Sequence, residues 1–353
     1  MKKVRWGVLG AANIAVNRVI PSMQGGENCE VAGIASRDLG KAREAAAKLG
    51  IPKAYGSYEE LLADPEIDAV YNPLPNHLHL AWSAAAAQAG KHVLCEKPIG
   101  INVREALDLM AVRDRTGVKI GEAFMVQSHP QWRRLIDDIR GGRIGDLRSA
   151  VGTFSFYLVN PENVRNVREY GGGGLYDIGC YPIKTSRMVF GEEPLRVSST
   201  MIRDPRFGGI DVLASAILEY PSGHCIFTCS TQMQSQQSMR FYGTKGRIET
   251  GIPFNATPGG ISKIIFDDGR DHLGSGRVEE ELPACDQYLL QGELFSRAIL
   301  EGGEVPVPLE DSVKNMAVIE AIFLSAETGQ WESPAEVERR ARGMAQSGNS
   351  VTG

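Results

Sequence analysis

The chain has 353 residues, 42% of them hydrophobic and 23% charged, and a net charge of −5. That length exceeds what one hydrophobic core usually serves, so two domains are expected. No block of basic residues interleaved with aromatics is present to hold nucleic acid, and no apolar run reaches the length that crosses a membrane.

The first elements organise the rest. Residues 4–9 read as a short buried strand, followed by small residues at Gly10, Ala12 and Ala15 and a helix toward Met23. A strand, a tight small-residue turn and a helix together bring backbone N–H groups to a dinucleotide pyrophosphate. Gly10, Ala12, Asn13 and Ile14 are the expected contacts. Alanine stands at Ala12, where the second glycine of G-x-G-x-x-G lets backbone approach phosphate. This N-terminus lacks a secretory cleavage pattern.

Residues 30–35 form the next strand, and 39–49 a helix closed by Gly50. Ser57 and Glu60 make a capping box for residues 57–62. Strand 68–72, helix 79–89, strand 92–95, helix 103–116 and the apolar segment 119–124 follow. This alternation is that of a doubly wound parallel sheet, an α/β dinucleotide-binding (Rossmann) domain over 1–124.

The pattern then changes. Residues 130–140 read as a helix with Trp132, Leu135, Ile136 and Ile139 on one face. Strand signals recur at 147–158, 195–202, 212–220, 223–232, 238–242, 246–250 and 263–267. Turn residues separate them at 221–223 and 243–246. Few crossover helices intervene, so the second domain, 125–353, is α+β with a mostly antiparallel sheet whose second face needs a cover or a partner. Helices near 286–301 and 309–328 follow, and the tail from Ser333 is loose or helical at the surface. The six cysteines (Cys29, Cys95, Cys180, Cys225, Cys229, Cys285) are scattered without C-x-x-C, as for free thiols in a reducing cytoplasm.

Three places carry chemistry. At the end of the second strand Ser36 and Arg37 stand where an acidic residue would hold both ribose hydroxyls of NAD. An arginine there takes a 2′-phosphate, which favours NADP. Asp38, one position later, reads as a turn or cap residue. In a shifted register it becomes the ribose ligand, and NAD the cofactor. The second place is Cys95-Glu96-Lys97-Pro98, at the carboxyl end of a parallel strand, where open α/β sheets bind ligands. Lys97 can donate to an alcohol and lower the pKa of a neighbouring acid, with Glu96 to anchor it, and Lys97-Pro98 permits a cis bond. The third is Tyr170 to Tyr181, YGGGGLYDIGCY. Its glycines let backbone pass close to a ligand, and Asp177 and Tyr181 share a face if a helix begins there.

Pro73, Leu74, Asn76, His77 and His79 border the same crevice and read as capping residues or walls of the cofactor pocket. Two histidines without a third ligand make a poor metal site, and none is expected. Arg165 and Arg168 either hold an anionic substrate or are solvated loop charges.

These pieces in order (GVLGAANIA, ASRD, PLPNHLH, CEKPIG, GGGGLYDIGCY) resemble the glucose–fructose oxidoreductase / inositol dehydrogenase family (Gfo/Idh/MocA) over about the first 190 residues. The resemblance implies a two-domain NAD(P)-dependent oxidoreductase acting on a sugar or polyol. It also implies a large open sheet that mediates homodimers or homotetramers. Lys97 matches the family lysine that touches substrate and nicotinamide ribose, and Asp177 the downstream carboxylate. Many members carry a histidine as acid/base where this chain has Tyr181. The tyrosine resembles the branch of aldose (xylose-type) 1-dehydrogenases and dimeric dihydrodiol dehydrogenases, and Ser36-Arg37 is similar to that branch's NADP preference. The expected reaction is oxidation of an aldose to a lactone. The alternatives are an NADPH-dependent reductase of keto-sugars or sugar nucleotides, a redox-neutral glycoside cleavage through transient oxidation, and a non-catalytic NADP-binding regulator.

Overall fold

The computed structural model describes residues 2–348, and side-chain environments through 343. The chain divides into two compact units. The first takes the chain up to Ile101, Glu105–Ser128 and Asp286–Ser312. The second takes Asn102–Arg104, His129–Cys285 and the chain from Val313.

The first unit is built on a six-stranded sheet of β1 (Val4–Leu9), β2 (Cys29–Ala35), β3 (Lys53–Tyr55), β4 (Ala69–Asn72), β5 (His92–Cys95) and β6 (Ile120–Glu122). Its spatial order is β3-β2-β1-β4-β5-β6, with every pair parallel. Val4, Trp6, Val8 and Leu9 of β1 are all buried, as a strand covered on both faces requires. The order reverses between β1 and β4, and at such a switch point the connections leave to opposite sides and a crevice opens at the carboxyl ends. The helices are α1 (Ile20–Gln24), α2 (Leu39–Leu49), α3 (Tyr58–Ala63), α4 (His79–Gln88) and α5 (Val103–Thr116). Ser57 caps α3 by accepting from the Glu60 N–H at 3.1 Å. The Glu60 carboxylate reaches back one residue further than expected, to the Gly56 N–H at 2.9 Å. The late segment Asp286–Ser312 returns to this unit. Trp6 donates its indole N–H to Ser296 Oγ at 3.0 Å and packs on Phe295 with ring centres 5.6 Å apart.

The second unit holds eight strands: β7 (Leu147–Tyr157), β8 (Arg196–Asp204), β9 (Ile210–Glu219), β10 (His224–Ser230), β11 (Gln232–Gly243), β12 (Arg247–Thr250), β13 (Gly260–Asp267) and β14 (Arg277–Cys285). The order is β14-β13-β12-β11-β7-β10-β9-β8, antiparallel except for β7 with β10. One face packs under α6 (Pro130–Arg140) and α7 (Cys180–Phe190). Trp132 of α6 meets Phe241 edge-on at 6.2 Å and donates to the Pro253 carbonyl at 3.0 Å. On the other face Val151, Ile226 and Ile217 lie in register across β7, β10 and β9, all exposed.

β14 is absent from the sequence reading. Its run RVEEEL lacks an apolar alternation, and it holds to β13 partly through Lys263 paired with Glu279. As the edge strand of the sheet it tolerates both the charge and Pro283. The tail is helical over Pro334–Gly348, and residues 349–353 lie outside the described residues. Among the described residues no helix is long and apolar enough to cross a membrane.

Candidate active site

In the first unit, β1 is followed by Gly10, whose φ of +103° only glycine adopts without strain. Its N–H donates to the Ala35 carbonyl at 2.8 Å, and a Cβ there would come within 3.1 Å of Leu74. Among the described residues no non-glycine residue has a positive φ, so Ala12 sits in ordinary backbone. Ala15 is fully buried. The helical coil that follows starts at Asn13 and passes into a π-turn, Ala15–Val19, closed by the Ile20 N–H on the Ala15 carbonyl. Pro21, just beyond it, has no N–H for the regular bond to the fourth residue back. The first-turn N–H groups lie ahead of any helical partner, the arrangement that takes an anion.

Beside this turn the end of β2 presents Ser36 and the exposed Arg37. Arg37 faces Tyr58, a phenol whose pKa burial pushes up and the guanidinium pulls back. The Tyr58 ring stands edge-on to Trp82 at 4.7 Å. Tyr58 and Trp82 escape the sequence reading, since an aromatic at a helix start reads as core. Asp38 is the N-cap of α2, accepting from the Gly40 and Lys41 N–H groups, so its carboxylate serves the helix. The residues present fit a dinucleotide: a glycine turn, a helix start and a cation at the place of a 2′-phosphate.

After β4, Leu74 is held by its N–H on Asn72 Oδ1, and Asn76 is half-buried. His79 was expected on the pocket wall with Pro73, Leu74 and Asn76, yet it lies behind that wall. It is fully buried, with Nδ1 2.7 Å from the Pro98 carbonyl and Nε2 2.7 Å from the Leu74 carbonyl. Burial pushes its pKa down to about 4. The ring therefore ties the loop after β4 to the loop carrying Lys97. That second loop is fastened along its length. The Tyr71 hydroxyl donates to Glu96 at 2.6 Å, and the Lys97 N–H donates to the other Glu96 oxygen at 3.2 Å. Glu122 accepts from the Ile99 N–H at 2.8 Å. The Lys97–Pro98 bond is cis. Lys97 thus rises from a rigid backbone, with its side chain half-buried.

In the second unit the glycines 171–174 are closely packed. Gly173 has φ +121°, and a Cβ on it would come to 2.1 Å from Asp211 Oδ1. One on Gly172 would come to 2.5 Å from the Arg165 carbonyl. A second π-turn, Leu175–Gly179, leads into α7, with the Cys180 N–H on the Leu175 carbonyl and Pro182 beyond. Asp177 lies on this turn and Tyr181 in the first turn of α7. Arg165 Nε donates to Asp177 Oδ2 at 2.7 Å, whereas Arg168 donates to the Gly208 carbonyl at 2.9 Å, on the surface. Tyr181 is 4% exposed, its ring 5.5 Å from both Phe154 and Phe254. Asp211, another residue without a sequence signal, is fully buried beneath the glycines, and burial pushes its carboxyl up to about 7. Among the described residues no group of three or more His, Cys, Asp or Glu side chains is placed to hold a metal ion.

Residues 4–124 match the model of an oxidoreductase family with an NAD-binding Rossmann fold, and residues 120–249 that of the GFO/IDH/MocA C-terminal domain. The chain is 47% identical over 334 residues to the oxidoreductase ORF334 of Rhizobium meliloti, covering 94% of this chain and 100% of that one. It is 41% identical to D-xylose 1-dehydrogenase (NADP(+)) 2 of Haloferax volcanii, over 92% of this chain and 98% of the relative. Among solved structures it resembles KijD10, a 3-ketoreductase from Actinomadura kijaniata in complex with NADP and TDP-benzene. That likeness has 30% identity, a TM-score of 0.86, and coverage of 92% of this chain and 98% of that one. With both domain models matched in tandem on the sheets described above, the chain belongs to the GFO/IDH/MocA oxidoreductases and carries their NAD(P)-binding Rossmann domain.

Proposed function

We propose that the protein is an NADP-dependent dehydrogenase that oxidises the anomeric carbon of an aldose to a lactone. The observation that carries this reading is the 2.7 Å ion pair of Arg165 with Asp177, on the turn that leads into Tyr181. It keeps an ionised acceptor for an uncharged hydroxyl near a phenol, and it engages an arginine that a phosphate-bearing substrate would otherwise use. The likeness to an NADP-dependent xylose dehydrogenase supports the same choice.

In this reading Gly10, Ala12, Asn13 and Ile14 hold the pyrophosphate and Ser36 and Arg37 the 2′-phosphate. Pro73, Leu74, Asn76 and Glu96 line or brace the pocket, with His79 behind it. Bound NADP supplies the hydride acceptor. Tyr181 takes the proton of the anomeric hydroxyl while the hydride leaves the same carbon, and Asp177 accepts from a neighbouring hydroxyl and fixes the ring. A phenol with its ordinary pKa near 10 is a poor base at neutrality, by about 4 kcal/mol. The ammonium of Lys97 is assigned to offset that deficit.

A keto-sugar reductase is the second reading, favoured by the likeness to KijD10; the same groups then work in reverse, with Arg168 available to a phosphate. A regulator that binds NADP without turnover is the reading from another class. We further propose a homodimer or homotetramer through the exposed sheet face, and residence in the cytoplasm, consistent with six free thiols.

The test is the rate of NADP and NAD reduction over pentoses, hexoses, polyols and trans-diols. Turnover of one aldose with NADP, lowered on the order of 100-fold or more by Tyr181→Phe, is the expected result. NADPH consumption with a keto-sugar or sugar nucleotide, and silence on the aldoses, would replace it with the reductase. NADP binding with no turnover in either direction would leave the regulator.

A further inference from the structure

Asp211 opens β9, yet its carboxylate is 1% exposed and turned toward the glycine segment rather than to solvent. Oδ2 accepts from the Leu175 N–H at 2.6 Å, and a Cβ on Gly174 would come to 3.4 Å from the same oxygen. The donor opens the π-turn that leads into α7. Gly174, the residue at the cap position, has no side chain to satisfy it. On the far side the Gly173 N–H donates to the Arg165 carbonyl at 2.9 Å, and Arg165 in turn holds Asp177. The glycines are thus clamped between a carboxylate from one strand and the loop of the arginine that orients the acceptor. A side chain at Gly172 or Gly173 would collide with one clamp or the other.

We propose that Asp211 is a positioning residue: it caps, from a neighbouring strand, the turn that carries Asp177 and Tyr181, and so sets where the acceptor and the acid/base point. The inference rests on the roles given to Asp177 and Tyr181 above. A carboxylate is the group suited to the place, because it accepts the Leu175 N–H bond at the positive end of a helical segment. Its burial keeps water from competing for that donor.

The experiment compares Asp211→Ala and Asp211→Asn with the wild type. It follows kcat and KM for D-xylose, or for the aldose of the panel that the wild type oxidises fastest, together with NADP affinity. Hydrogen–deuterium exchange is followed over residues 171–180. In Asp211→Ala, kcat is expected to fall on the order of 100-fold, the cost of a displacement near 1 Å at a reacting group. NADP affinity should stay within about twofold, and the Leu175 amide should exchange at least about tenfold faster. Asp211→Asn retains one acceptor oxygen and should recover part of both losses. Wild-type kcat and wild-type exchange in a folded Asp211→Ala overturn the proposal. If that variant does not fold, Asp211→Asn decides in the same way. Tyr181→Phe separates the two claims: if it stays active, the reading of Tyr181 fails and the exchange data alone judge the cap. If it is inactive while Asp211→Ala turns over normally, the cap fails and the reading stands. Should no sugar be turned over, the exchange comparison still decides.

Discussion

Gly173 and Gly50 are both glycines with positive φ, +121° and +66°, but they answer to different demands. Around Gly50, the C-cap of α2, a Cβ would meet nothing within 4 Å, so Gly50→Ala carries only the left-handed backbone penalty, about 1 kcal/mol. At Gly173 the same methyl would strike a buried carboxylate, and Gly173→Ala is expected to cost about 3 kcal/mol or more. Urea denaturation of the two variants measures the difference; equal losses would mean that the glycine turn is slack. Cofactor choice is argued at the same scale. If Arg37 holds the 2′-phosphate, Arg37→Ala should raise the KM for NADP by roughly tenfold or more and leave that for NAD unchanged; an equal effect on both would remove Arg37 from that role. At this scale the sequence marked Ser36-Arg37 and the EKP motif by place and chemistry, and Asp38 caps α2 as one of its two readings had it. Asp211 and Tyr58 were not legible, because an aspartate at a strand start and an aromatic at a helix start carry no local mark of what they face.

At the scale of elements, each coil that leads from a candidate site carries a π-turn near its start and meets a proline soon after, Pro21 in one and Pro182 in the other. The sequence showed those helices but not the turns, since one extra residue in a coil leaves the apolar pattern almost unchanged. β14 was missed for the opposite reason: the strand exists by pairing, with no apolar alternation of its own. The helix α6 shows how a terminus couples to pH. His129 caps it, Nδ1 accepting from the Gln131 N–H at 3.1 Å, which requires the neutral ring. Burial pushes its pKa down to about 4, below the unfolded value of about 6.5. The unfolded chain therefore binds the proton first as pH falls, and this contribution is present above about pH 6.5 and lost toward pH 4. The loss amounts to about 3 kcal/mol. Denaturation midpoints at pH 7, 6 and 5 should decline accordingly. His129→Asn, which caps without titrating, should flatten the decline. An unchanged slope in that variant would assign it to other groups.

For the whole molecule, the change from alternating strand and helix to successive strands marked two architectures correctly. The return of Asp286–Ser312 to the first unit had no signature, because long-range packing such as Trp6 on Phe295 is not written in any window of sequence. The exposed row Val151, Ile226 and Ile217 is where assembly is expected. Ile226→Arg should shift the protein to a smaller species in light scattering while leaving each chain folded, and an unchanged mass would exclude that face. The account as a whole stands on hydride transfer from an anomeric carbon with Tyr181 as the base. The measurement that reaches it most directly is NADP reduction by the fastest aldose of the panel deuterated at C1, in the wild type and in Tyr181→Phe. The account predicts deuterium in the NADPH formed, and near loss of turnover in the variant. NADPH without deuterium, or undiminished turnover by Tyr181→Phe, would contradict it.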